Sequence, residues 1–274
     1  MLFRSREPRR GKPMRNPLRR LPASSPTPRD PRQFLRVESM SLREVWLSLW
    51  ANTTFRHLLF CFSVSFFFGY GILQWQPAFF IRSYGMDTGE LGTWFAVIYG
   101  VGGILGTYLG GELASRYAAN NERLQLRATA VAYCGFGVIS AFIYIAHNHY
   151  LAFGMMGLAA VGGAAVNGPL FATIQTLVPQ HVRAVSVAII YLFANLIGMG
   201  LGPLAAGALS DALRPFVGEE SLRYALLALC PGYLWCGWHL WRASRTVTRD
   251  LEEVQVESTR ASSDEVTRYQ CESP

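Results

Sequence analysis

A chain of 274 residues in which 51% are apolar and only 16% charged falls well short of the roughly one quarter charged residues of a soluble domain. Its formal charge of +7 gathers at the two ends and in short loops, which is the distribution of a polytopic membrane protein and argues against nucleic acid as a partner. The five cysteines (Cys61, Cys134, Cys230, Cys236, Cys271) have no paired spacing and four lie in apolar runs, so no disulfide framework, metal or cofactor is expected.

Residues 1–40 are rich in Arg, Pro and Ser without periodicity, and cannot bury enough apolar surface to offset the entropy of ordering. They read as a disordered basic segment on the cytoplasmic side. A cationic transit peptide is the alternative, whereas the apolar run of a secretory signal is missing. From Ser41 the pattern changes. Ser41 and Glu44 fit a capping box, and Leu42, Val45, Trp46, Leu49 and Trp50 recur at helical spacing, so 41–52 is an amphipathic helix. It either lies in the membrane interface or packs on the protein's own helices.

Six spanning helices are expected within 53–245, at about 58–81, 91–113, 128–146, 150–178, 179–211 and 224–240. The first is aromatic and carries Gln74, Trp75, Gln76 and Pro77. The second has Gly102, Gly106 and Gly110 in one i, i+4, i+8 row, and the third has no strongly polar residue. The fourth is crowded with Gly and Ala and contains Asn167. The fifth opens at Arg183 into about 27 uncharged residues and holds Asn195, Gly198, Gly200, Gly202 and Pro203, a composition that lets helices approach closely and bend. After the sixth span, 246–274 is a polar tail of mixed charge, expected to be mobile.

Arginine placement sets the orientation. With the N-terminus cytoplasmic, the outer loops hold only Arg82, Arg214 and Arg223, while the inner loops and C-terminus hold nine arginines even without the long N-terminal segment. The positive-inside bias therefore puts both termini in the cytoplasm of an integral membrane protein, with a bacterial inner membrane the expected location.

Spans two and five share a spacing. Gly106-Thr-Tyr-Leu-Gly-Gly111-Glu-Leu113 aligns with Gly202-Pro-Leu-Ala-Ala-Gly207-Ala-Leu209 at an offset of 96 residues. The two spans run in opposite directions, which implies an all-α membrane protein built as two inverted three-helix repeats.

Several motifs carry a family resemblance: Trp75-Gln76-Pro77 with Arg82-Ser83-Tyr84-Gly85-Met86, Gly106 to Arg116, Val178-Pro179-Gln180-His181-Val182-Arg183, and Gly198 to Asp211. Over about residues 41–245 the chain resembles the C-terminal half of a major facilitator superfamily transporter, most like the bacterial spinster-like members. The resemblance implies alternating access between two six-helix halves, of which this chain supplies one. It implies a fragment, a split half or a self-pairing subunit, with the fragment favoured, and the partner is an N-terminal six-helix half or a second copy. GTYLGGELASR resembles the family's loop signature, except that Ser115 stands where an acidic residue belongs while Arg116 is kept. Glu112, one turn earlier, is the substitute for a gating ion pair with Arg116.

The candidate solute-binding residues are Asn167, Asn195, Gln74, Tyr70, Tyr99 and Tyr191. Asn167 and Asn195 sit near mid-span and either line a cavity or tie helices together, a bond worth about 0.6 kcal/mol. Gln74 is preferred to Gln76 because it lies i+4 from Tyr70 and shares its face. Packing is the alternative for Tyr99 and Tyr191. No ionisable side chain lies at mid-depth in any span. The expected function is secondary transport of a small organic or amphiphilic solute, with membrane lipid around the protein. A non-transporting six-helix scaffold or regulatory subunit is the alternative. An enzyme is not expected, since no nucleophile–base or metal-ligand cluster is present.

Overall fold

The computed structural model describes residues 42–119, 121–178 and 183–272, with side chains over 43–256 of these; the basic segment 1–40, the capping Ser41 and the corner 179–182 lie outside the described residues. Every regular element described is helical. They are α1 (Leu42–Ala51), α2 (Thr53–Tyr84), α3 (Thr88–Tyr117), α4 (Glu122–Ile145), α5 (His149–Thr176), α6 (Arg183–Val217), α7 (Ser221–Leu229) and α8 (Gly232–Glu272), with one 3-10 turn at Gly218–Glu220.

Among the described residues, five stretches are long and apolar enough to cross a membrane: α2, α3, α4, α5 and the 74 residues Arg183–Val256. The last would be about 110 Å long as one helix, several times the ~30 Å hydrocarbon layer. It turns back at Gly218, whose φ of 62° suits glycine, and α7 packs against α6. It therefore holds two crossings, α6 and the pair α7–α8, which is broken at Cys230-Pro231. Six crossings result.

Short polar side chains start these helices by accepting otherwise orphaned backbone N–H groups. Asn52 accepts from Phe55, Asp87 from Gly89, Asn121 from Leu124 and Asn148 from Tyr150. Gly85 ends α2 in the left-handed conformation, φ 66°, and donates its N–H to the Ile81 carbonyl. In α1, Val45 and Leu49 are buried, and Trp46 stacks on Trp50 and on Phe193 of α6 at 5.2 and 5.5 Å. This helix packs on the protein's own bundle, with Leu47 left exposed.

The helix pairs reveal the symmetry. α2 packs on α6, α3 on α5, α4 on α8, α2 on α8 and α4 on α5. Exchanging α2 with α5, α3 with α6 and α4 with α7–α8 maps this set onto itself. Because α2 and α5 start at opposite ends of the bundle, the two three-helix units are inverted repeats.

Helix α8 continues to Glu272, past the point at which the polar composition suggests a tail. Leu240, Ala243, Val247 and Asp250 recur at helical spacing and are buried against the start of α2. Thr54 N donates to Asp250 Oδ2 at 2.8 Å, and the Thr54 and Thr246 hydroxyls are 2.6 Å apart. Asp250, 2% exposed, thus joins Asn52 in capping α2 and puts negative charge at the positive end of its dipole. Asp250→Ala should lower stability by about 1–2 kcal/mol, seen as a lower thermal midpoint in detergent, with Asp250→Asn recovering most of the loss. An unchanged midpoint for the alanine variant would remove the cap.

Candidate functional site

A cavity of about 420 Å³ opens between α2, α3, α4 and α5, with Tyr233 of α8 at its wall. On α2 the lining residues Ser65, Gly69, Ile72 and Gln76 follow i, i+4, i+7, i+11, flanked by Phe66, Tyr70 and Leu73. α3 adds Tyr99 and Gly103, α4 adds Tyr133, Phe136 and Ser140, and α5 adds Met156, the small residues Ala159, Ala160, Gly162, Gly163 and Ala164, and Asn167. No Asp, Glu, Lys, Arg or His is among the lining residues. Hydroxyls, amides and aromatic faces make up its chemistry.

Gln76 organises the centre. Tyr99 Oη donates to Gln76 Oε1 at 2.5 Å, and Gln76 Nε2 donates to Tyr144 Oη at 3.2 Å, so one amide joins α2, α3 and α4. Gln76 and Tyr144 are buried, the latter fully. The residues on either side hold the amide in place. Trp75 Nε1 donates to the Pro203 carbonyl of α6 at 2.9 Å, and its ring lies against Gly207. Pro77 cannot donate to the Leu73 carbonyl, which loosens the helix at this point. In α5, Pro169 has a related role two residues beyond Asn167: its carbonyl accepts from Gln125 Nε2 at 3.0 Å. The Asn167 carboxamide itself is exposed and makes no hydrogen bond among the described residues.

Of the residues singled out from sequence, Tyr70, Tyr99 and Asn167 come together here. Gln74 does not: it is exposed, and Gln76, two residues on, takes the cavity position. Sharing a face with Tyr70 was the wrong criterion, because the lining stripe is centred on the Ser65–Gly69–Ile72–Gln76 row. Ser65, Gly69 and Gln76, small or polar and on one face, are the signal the sequence offers. Tyr191 lies outside the cavity, stacked on Phe171 at 5.3 Å, and Asn195 Nδ2 donates to the Tyr191 carbonyl of its own helix at 2.8 Å. Glu112 Oε1 and Arg116 Nε form an ion pair at 2.5 Å with both side chains substantially exposed, and Ser115 bonds only to its own helix. Such a pair contributes a few tenths of a kcal/mol to stability (roughly,). Trp75 and Tyr144, which sequence reading did not single out for the site, position the amide that holds it together.

The sequence model of the Major Facilitator Superfamily matches residues 2–203. A curated protein of Mycolicibacterium smegmatis, described as an MFS-type efflux pump, is 31% identical over 186 residues, covering 68% of this chain and 43% of that protein. Crystal structures of a bacterial homolog to the human lysosomal transporter Spinster share the fold in two inward-facing states. The occupied form matches with a TM-score of 0.62 over 74% of this chain and 51% of its own, at 23% identity. The unoccupied form gives 0.65 over 82% and 53%, also at 23% identity. The chain thus spans about half the length of the relatives it matches.

Proposed function

Because this chain belongs to the Major Facilitator Superfamily, we propose that it forms one six-helix half of a secondary active transporter that carries a small organic or amphiphilic solute by alternating access. The protein is an integral membrane protein of a transporter family. The observation that carries the reading is the uncharged cavity centred on Gln76 and Tyr99 within a bundle of inverted repeats. Tyr70, Tyr99, Asn167 and Gln76 contact the solute in this proposal. Gln74, Asn195 and Tyr191 stand at least partly exposed on α2 and α6. An amide facing hydrocarbon costs several kcal/mol (roughly,), so this exposed polar face is where a second half, or a second copy, closes the pathway. Glu112 and Arg116 act at the gate beside it, and both termini are cytoplasmic.

Proteoliposomes test the reading. Filled with a panel of neutral and cationic fluorescent amphiphiles, vesicles holding this chain together with a six-helix partner half should show uptake or release that empty vesicles lack. The same chain should carry a topology reporter at His149 on the extracytoplasmic side and one at Arg260 on the cytoplasmic side. Movement of no solute with any partner half would leave a scaffold role, and exchanged reporter signals would reverse the orientation.

A further inference from the structure

A second concentration of chemistry lies away from the cavity, in the groove between the start of α2 and the first three turns of α8. His57 Nδ1 and His239 Nδ1 are 3.1 Å apart, so one ring donates to the other across the groove. Trp238 meets His239 at 4.7 Å and His57 at 6.2 Å, edge-on in both cases, and the Arg242 guanidinium lies 5.3 Å above the Trp238 ring. Arg242 and Arg56 are the charges that act on His57. Neither arginine is in an ion pair among the described residues, where the pairs engage Arg116, Arg214, Arg223 and Arg249. Among the described residues Arg56 donates to the hydroxyl of Thr53, at 3.2 Å. The nearest acid along α8, Asp250, is committed to the Thr54 N–H and Arg249.

Positive charge outside the ion pairs of the described residues is one half of this site, and an apolar wall is the other. Trp235 is 59% exposed, Trp238 50% and Phe60 44%, and they stand one to two turns from the two arginines on the side of the helices away from the basic end. A free anion gains nothing from such a wall, whereas an acyl chain does. Aromatic rings at the boundary with cations beside them match the headgroup and the tail of one membrane lipid.

We propose that this α2–α8 groove seats an anionic phospholipid, its phosphate held by Arg56 and Arg242 and its acyl chain laid along Phe60, Trp235 and Trp238. The imidazole pair forms the floor, offering a further N–H to the phosphate from whichever ring turns outward.

The test uses the full chain in nanodiscs of equimolar phosphatidylcholine and phosphatidylglycerol, released for native mass spectrometry. Retained phosphatidylglycerol should exceed phosphatidylcholine roughly tenfold, from two arginines near a charged surface. Arg56→Gln combined with Arg242→Gln should bring that ratio close to one, while Arg214→Gln at the opposite end of the bundle should preserve it. If the double variant is not recovered folded, Arg242→Gln alone, at an exposed position, is read in the same way. Equal retention of the two lipids by the unaltered chain overturns the proposal, as does a preference that survives loss of both arginines. A last arm replaces phosphatidylglycerol by millimolar inorganic phosphate in phosphatidylcholine discs. A phosphate adduct there that needs both arginines, and that displaces phosphatidylglycerol in the mixed discs, would assign the groove to a soluble anion and overturn the lipid reading.

Discussion

Gly106→Val and Gly202→Val are each expected to cost about 3 kcal/mol of stability, at the upper end for overpacking a close contact. A Cβ on Gly106 would run into the Val161 carbonyl of α5 and lie 2.7 Å from Ala164 Cβ. A Cβ on Gly202 would run into the Phe67 carbonyl of α2 and lie 3.0 Å from Gly71 N. Backbone atoms cannot rotate aside, so the helices must separate. The equivalence of the two sites is specific. One turn earlier, a Cβ on Gly102 would lie 3.0 Å from Ala160 Cβ and one on Gly198 2.7 Å from Phe66 Cβ. The glycines are 96 residues apart in both cases, and Val161 and Phe67, like Ala160 and Phe66, are 94 apart. Without a hydrophobic drive between helices in lipid, such close approach is the main source of their association. Gly103→Ala and Gly111→Ala, which face open space within 4 Å, should change the thermal midpoint little. If either valine variant melts with the unaltered chain, that crossing is looser than described. If only one of the two is damaging, the repeats are not equivalent in energy.

This pair of contacts also explains what the sequence made legible. A glycine's role in a crossing depends on spacing along one helix, and the row Gly102, Gly106, Gly110 and its echo at Gly198 and Gly202 are visible without coordinates. So are the six crossings, because a membrane imposes length and apolarity on each segment separately. The site was harder to read. Choosing between Gln74 and Gln76 requires knowing where α2 turns relative to α3 and α4, and that is set by Trp75 reaching Pro203 and by the backbone hydrogen bond missing at Pro77. Partners 68 residues apart, such as Gln76 and Tyr144, leave no local pattern. The end of α8 was missed for a related reason. The helix past Leu240 is polar by composition, and only the start of α2 makes its Ala243–Val247–Asp250 stripe a buried face.

Gln76 therefore offers the sharpest test of the site. Gln76→Leu keeps the volume roughly constant but leaves the Tyr144 hydroxyl, fully buried, without its donor and the Tyr99 hydroxyl without its acceptor. Each orphaned group costs about 1–3 kcal/mol. The variant should lose stability by about that amount and lose a factor of roughly 10 to 100 in kcat/KM for the solute carried in proteoliposomes. Two causes are mixed in that loss, an unsatisfied core and a missing solute contact, and the double variant Gln76→Leu with Tyr144→Phe separates them. Removing the orphaned hydroxyl should return most of the stability, because paired polar groups replaced together by apolar ones are nearly neutral. Transport should stay low, since the cavity has lost the amide proposed to contact the solute. Recovery of transport along with stability would make Gln76 a strut between α2 and α4, and the solute would have to be held by other residues.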